Sequence, residues 1–363
     1  MNEAKAARYQ RLRRRANTIS AAAGILVLGA TGLTGAGNVL ATWANDAVAG
    51  MTPGLRTVAA TVLFVAVLAA GLELLALPAV IYLGVTLDRR FKRAEKSVGG
   101  LVVAQLHAAA VGVVAAVVVS IVIHVAARLC GSWWWLVTGL VLSAMLVLAL
   151  RGVSSVIARS GAAAALNDAA LSARLAQLCA DASVPVAGIF EWRDDGHEAH
   201  TASVTGFGRG RRVLIAPSVL REWDQDEIAV VVAHELSHHK HHDLIQTLVF
   251  NALLLSSALA VTDAALGASG LVASELLALP MVALTVGAVW LVMTPARHAL
   301  SRWQERRADQ FALSVTGHRE AFAAAIRRLS AQHLAEERPS KLTRWLFHRH
   351  PTVEERLAMA KEP

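Results

Sequence analysis

The sequence predicts a mainly α, polytopic membrane protein of about six spans that also carries an α+β domain folding in water. Three observations support this: an excess of aliphatic residues, apolar stretches of spanning length, and basic residues confined to alternate loops. Of the 363 residues, 55% are apolar, but only 5% are aromatic and 17% charged. A soluble domain is about 45–50% apolar and about 25% charged. With a mean hydropathy of +0.48, much of the chain belongs in lipid. The same composition excludes disordered, collagen-like and disulfide-scaffold classes.

A helical span needs about 20 mostly apolar residues to cross roughly 30 Å of hydrocarbon. Six stretches meet or approach this: Ile19–Ala41, Val58–Leu83, Leu101–Ala127, Trp133–Leu150, Leu244–Leu266 and Leu271–Met293. The first is rich in glycine (Gly24, Gly29, Gly32, Gly35, Gly37), which suits close approach between helices. The fourth opens on Trp133, Trp134 and Trp135, read as an interfacial anchor. Four segments are basic: the N-terminus from Lys5 to Arg15, the loop Arg89–Lys96, the segment opening at Arg151, and the tail from Arg297. With six spans all four fall on one side, and the positive-inside rule makes that side cytoplasmic. The formal charge of +8 is therefore topology, and no nucleic-acid partner is expected. The first span is long for a signal peptide, and later basic segments alternate with it correctly. Cys130 and Cys179 fall on opposite sides of the membrane in this topology, so no disulfide is expected.

The organisation that follows is a four-span membrane region over 1–150, a first cytoplasmic segment over 151–243, a two-span hairpin over 244–293 and a second cytoplasmic segment over 294–363. The two cytoplasmic segments together are long enough for one domain with a real core. The first predicts a helix over Ala162–Ala182, then short strands at Val184–Trp192, Ala202–Thr205 and Val213–Ala216. Gly206-Phe207-Gly208-Arg209-Gly210 lacks the Lys-Ser/Thr ending of a phosphate loop and reads as a hairpin turn. Asp224, with Glu227 three residues on, caps a helix running to Asp243.

That helix contains His234-Glu235-Leu236-Ser237-His238. Residues four apart share one helix face, so both imidazoles can reach one zinc ion. The glutamate between them stands where it can take a proton from metal-bound water. His242 offers an alternative pairing with His238, but Lys240–Asp243 reads as the solvated or interfacial end of the helix. A catalytic zinc needs a third protein ligand. Beyond the hairpin, Glu305 and Asp309 stand four apart in Ser301-Arg302-Trp303-Gln304-Glu305-Arg306-Arg307-Ala308-Asp309. One can ligate while the other orients a histidine. Asp263 and Glu275 lie at the outer ends of the hairpin and are excluded.

This order of motifs resembles the membrane zinc metallopeptidases that include the CAAX prenyl proteases and the HtpX-type heat-shock proteases. It is closer to the CAAX branch through Gly206-Phe207-Gly208 and the ending His350-Pro351-Thr352-Val353-Glu354-Glu355-Arg356-Leu357. The resemblance covers roughly Arg151 to the C-terminus. It implies a zincin-like metalloprotease domain with one Zn2+ per chain, held by His234, His238 and Glu305. Glu235 would be the general base, Asp309 would orient a ligand, and His350 would hold the substrate carbonyl or its oxyanion. Two positions depart from the family: Thr201-Ala202 stands for Asn-Ala, and Ser237 stands for Gly on what reads as an exposed helix face.

The expected protein is a zinc-dependent endopeptidase of a bacterial plasma membrane, cutting peptides or membrane proteins at the cytoplasmic face of the bilayer. The strand residues Val213, Leu214 and Ile215 are expected to dock an extended substrate by strand addition, and Thr201, at the position of the family's transition-state Asn, is a further expected substrate contact. A membrane signal transducer is the competing reading, but the outer loops are short. A silent scaffold is another, but Glu235 is intact. Within the spans, Glu73, His107 and His124 are costly polar groups, and depth alone would let Glu73 approach His107.

Overall fold

The computed structural model describes residues 3–91, 97–159, 163–192, 202–333, 336 and 338–361. Contacts divide the chain into two compact units. One is Arg8–Ala144 with Asn251–Met293; the other is Met1–Ala7, Met145–Phe250 and Thr294–Pro363.

Among the described residues, four helical stretches are long and apolar enough to cross a membrane: Lys5–Leu33, Pro53–Arg90, Val98–Gly152 and Asp243–Ala268. A fifth is added if Ala278–Val292 and Thr294–Thr316, bent by 50°, count as one span. The stretch Val98–Gly152 has 55 residues and would extend about 80 Å as one helix, more than twice the hydrocarbon thickness. Gly131, with φ of 51°, ends a helix at Cys130, and a new one starts at Trp134. Each half is long enough to span alone, so the break at Gly131 separates two apolar segments, as expected.

Other boundaries differ from the expected ones. The first helix ends at Leu33, and Thr34 accepts a hydrogen bond from Ala36 N to cap a second helix, Gly35–Asp46. The expected span Ile19–Ala41 is therefore broken within its glycine-rich end. Two of its glycines do admit a close neighbour: a Cβ at Gly32 would lie 3.3 Å from Pro280 Cβ, and one at Gly37 would lie 2.9 Å from Leu277 Cδ2. The sixth segment is helical only over Ala278–Val292, because Gly270 turns the chain with φ of 69° and further turns follow it. Trp134 is 3% exposed and donates to Asp263 Oδ1 at 2.6 Å. It is thus an interhelical tie, whereas Trp133 is exposed. Glu73 accepts from Gln105 Nε2 at 2.7 Å, while the His107 ring bonds Val103 O in its own helix. The expected Glu73–His107 approach is replaced by a carboxylate–amide pair.

The other unit is built on a four-stranded sheet ordered β1-β2-β4-β3. The strands are β1 (Ala163–Ala165), β2 (Gly188–Trp192), β3 (Ala202–Thr205) and β4 (Arg212–Ile215). β1 pairs antiparallel with β2, β2 parallel with β4, and β4 antiparallel with β3. The expected helix Ala162–Ala182 is shorter than predicted: residues 163–165 pair with β2, and the helix Ala169–Asp181 begins only after Asp168 caps it at Leu171 N. β3 and β4 form the expected hairpin. Its turn needs glycine at Gly206, where φ is 99° and a Cβ would meet Gly210 O at 2.8 Å.

The core lies between the sheet and the helices. Leu171, Leu175, Val213, Ile215, Ile228, Val232, Leu236 and Phe322 are buried in one cluster. By order-of-magnitude transfer energies each such side chain contributes about 1.5–3 kcal/mol. Cys179 belongs to the same cluster, and burial pushes its thiol up to about 11. At pH 8 about one thiol in a thousand would be thiolate. Iodoacetamide at pH 8 should therefore leave Cys179 unmodified in the folded protein and label it after denaturation. Rapid labelling of the folded chain at Cys179, read by peptide mass, would contradict this packing.

Candidate active site and metal centre

The helix Gln225–Lys240 carries the His-Glu-Leu-Ser-His motif. Its start is fixed by a capping box in which Glu227 accepts from Asp224 N at 3.1 Å. Glu227 also accepts from Arg328 Nε at 3.1 Å. Ile228 to Ala233 are all buried, which locks the rotation of the helix. One face of its next turn then lines a cleft of about 640 Å3, with His234, Glu235, His238, Glu305 and His350 in its wall.

Among the described residues, His234, His238 and Glu305 are grouped so that a metal could be held, with their ligand atoms all within 4.8 Å of one another. His234 Nε2 lies 3.3 Å from His238 Nε2 and 3.4 Å from Glu305 Oε2. His238 Nε2 lies 3.7 Å from Glu305 Oε1. Tetrahedral bonds of about 2.0–2.1 Å separate neighbouring ligands by about 3.3–3.4 Å, so the three donors fit one such cation.

The outer nitrogens explain why the inner ones converge. His234 Nδ1 is 2.9 Å from Asp309 Oδ1, and His238 Nδ1 is 2.8 Å from Asp243 Oδ2. A carboxylate partner assigns the proton to Nδ1 and leaves the Nε2 lone pair for a cation. Each carboxylate is held in turn by an arginine. Arg356 grips Asp309 with Nε at 2.8 Å and Nη2 at 2.5 Å, and Arg307 pairs with Asp243. Asp309 is fully buried and Asp243 nearly so.

The electrostatics favour positive charge at the centre of the trio. Burial disfavours a charged His234, but Asp309 and Glu305 outweigh it and lift its pKa to about 10. Burial would raise Glu305, yet His234 and His350 hold it well below the usual carboxylate range. Burial would likewise raise Asp309, and His234 and Arg356 keep it low. Burial pushes Glu235 up, against the opposing pull of His234 and His238.

Other expected residues are placed differently. His350 Nδ1 lies 2.8 Å from Glu305 Oε2, with its side chain 63% exposed. Val213, Leu214 and Ile215 are almost completely buried in β4, which has β2 on one edge and β3 on the other. No backbone edge is left there for an added strand, so the expected docking at these three residues is corrected. Thr201 lies outside the described residues. Ser237 is fully buried and bonds His241 Nδ1 at 3.1 Å, so it does not occupy an exposed face. His242 has left the helix with φ of 58°. Asp243, read from the sequence as part of a solvated or interfacial end, is instead the partner of His238. Sequence reasoning missed Asp243 and its partner Arg307 altogether, and it gave Arg356 no role. A carboxylate five residues after the second motif histidine was the available signal.

Replacing Asp243 or Asp309 by Asn should weaken metal binding about 10–100-fold each. Chelator competition on detergent-purified protein reads this directly, with circular dichroism checking that the helices persist. An unchanged affinity in Asp243→Asn would remove Asp243 from the site.

Known proteins resemble the chain in two regions. Residues 165–363 match peptidase family M48. Residues 2–159 match the CAAX prenyl protease N-terminal family, described as five membrane helices. The chain is 26% identical over 209 residues to the uncharacterized metalloprotease YhfN of Bacillus subtilis (strain 168), covering 54% of this chain and 49% of that protein. It is 31% identical over 168 residues to a protease HtpX homolog of Campylobacter concisus (strain 13826), covering 40% and 58%. The chain thus spans about half the length of these curated relatives. The crystal structure of S. mikatae Ste24p superposes with a TM-score of 0.74 at 17% identity, over 84% of this chain and 76% of that one, which shows a shared fold. With the family match extending over more than half of the residues and the apolar helices matched separately, the chain is an integral membrane protein that belongs to peptidase family M48.

Proposed function

We propose that the protein is a zinc-dependent endopeptidase that hydrolyses peptide bonds at the cytoplasmic face of a bacterial plasma membrane. In this reading one Zn2+ per chain is held by His234, His238 and Glu305. The convergence of those three side chains beside Glu235 in one cleft is the observation that carries it. Zinc, when bound, supplies a Lewis acid that polarises a carbonyl and lowers the pKa of water towards about 7.

The chain's own residues do the rest. Glu235 accepts the proton of the attacking water and passes it to the leaving amine. Its upward shift from burial makes it a better base than an exposed glutamate. Asp309 and Asp243 keep their histidines in one tautomer. His350, near the mouth of the cleft, holds the substrate carbonyl oxygen as negative charge develops there.

The substrate backbone is assigned to β3, which among the described residues is one of the two edge strands of the sheet, in place of β4. Val204 O is taken by the ring of His239 at 2.9 Å, so Val204 points its backbone away from β4. By alternation Ala202 does the same, and Ala202 lines the cleft. An extended peptide can therefore pair at Ala202, and His239 stops the pairing at Val204. The substrates fitting this reading are membrane proteins in quality control or peptides in processing, reached from the bilayer. The basic loops support the cytoplasmic assignment through the positive-inside rule.

Glu235→Gln should retain zinc yet lose about 10²–10⁴-fold in kcat on casein. Zinc analysis paired with a gel-based cleavage assay tests both halves, and undiminished cleavage would defeat the proposal. Ala202→Pro removes the edge donor and should raise KM for peptides with little change in kcat. Unchanged kinetics there would remove β3 as the docking strand.

A further inference from the structure

The short helix Lys341–Phe347 has no buried residue, although its sequence is Lys-Leu-Thr-Arg-Trp-Leu-Phe. Leu342, Trp345 and Leu346 are spaced i, i+3, i+4 and so form one apolar stripe. Leu342 is 66% exposed, Trp345 57% and Phe347, at the helix end, 52%. A stripe of large apolar side chains on a seven-residue helix should not face water in this way.

The position of the helix says what covers it. It is tied to the first turns of the helix Thr294–Thr316. Arg302 Nη1 donates to His348 O at 2.8 Å, and His298, itself 9% exposed, hydrogen-bonds the Trp345 backbone. His298 and Arg302 are five and nine residues past Met293, where the preceding apolar helix ends. At 1.5 Å per residue His298 lies within about 8 Å of that end and Arg302 within about 14 Å, so the tie from His298 to Trp345 falls at the outer edge of a headgroup layer about 5–8 Å deep.

The charges point the same way. Arg349 is close enough to Arg297 and to His298 for their positive charges to repel. Lys341 is exposed, and Arg344 stands on the flank of the apolar stripe, paired with Glu355 at 2.6 Å. Tryptophan and leucine framed by lysine and arginine are the composition of an element lying in a bilayer interface.

We propose that the helix Lys341–Phe347 lies in the lipid interface, with Leu342 and Trp345 among acyl chains and the Arg297–Arg349 cluster against anionic headgroups. The chain leaves this helix and reaches His350 three residues later, where the ring contacts Glu305. Lipid contact thereby fixes one wall of the cleft to the membrane surface. The inference does not depend on the proposed catalysis.

The test uses the full chain with Cys130 and Cys179 replaced by serine and a single cysteine at Leu342→Cys or, as a control, at Glu320→Cys. Each is labelled with an environment-sensitive NBD fluorophore and placed, one copy per disc, in nanodiscs of phosphatidylcholine with roughly a third phosphatidylglycerol. The label at 342 should emit at shorter wavelength than the label at 320, resist iodide, and be quenched by doxyl-labelled lipid. Removing phosphatidylglycerol should weaken all three effects. Iodide protection without quenching by doxyl lipid would mean that protein, such as a second copy of this chain, covers the stripe, and would overturn the proposal. So would equal, water-like emission at both positions. Circular dichroism and a single size-exclusion peak for each labelled variant check that it is folded.

Discussion

The candidate site depends on two hydrogen bonds, 2.9 Å from His234 to Asp309 and 2.8 Å from His238 to Asp243. An imidazole can present either nitrogen, and a free side chain can turn. A buried carboxylate at Nδ1 removes both freedoms and aims Nε2 at one point. Those carboxylates are themselves costly to bury and would move or protonate if left alone. Arg356 and Arg307 hold them in place. Each histidine is thus the end of a chain from arginine to carboxylate to imidazole, and the two chains converge.

The same interactions explain the arrangement of sequence around the site. Glu305, Arg307 and Asp309 come from one helix, Thr294–Thr316. A single element therefore supplies the third donor, the anchor for Asp243 and the partner for His234. The motif helix Gln225–Lys240 contributes both histidines and Glu235, and its buried run Ile228–Ala233 fixes which way they face. In sequence the two helices are separated by an apolar hairpin. A soluble protein would join them by a loop; here the joining segment is the part of the chain suited to lipid.

Much of this was legible in the residues. Helical periodicity and the Asp224–Glu227 box placed the motif helix, and the spacing of His234 and His238 set them on one face. Apolar run length marked out the membrane segments. Their ends were less legible where Thr34 cuts a helix in a way that hydropathy does not register, whereas the break at Gly131 falls between the expected third and fourth spans. Periodicity also failed at Ala163–Ala165, where pairing with β2 overrides helix propensity. Strand order was the largest gap: nothing local in Val213–Ile215 says that β2, earlier in the chain, takes one edge of β4 while the hairpin partner β3 takes the other. Asp243 was missed because a run of histidines and lysine looks solvated, whereas its burial depends on Arg307, 64 residues further along.

The most direct test of the account is X-ray absorption at the zinc K edge on the purified protein, with metal content measured on the same sample. The account predicts one zinc per chain, with two imidazole nitrogens and carboxylate oxygen at about 2.0–2.1 Å. A shell of three or four imidazoles would place the metal on the run from His238 to His242 instead, and would contradict the convergence of His234, His238 and Glu305.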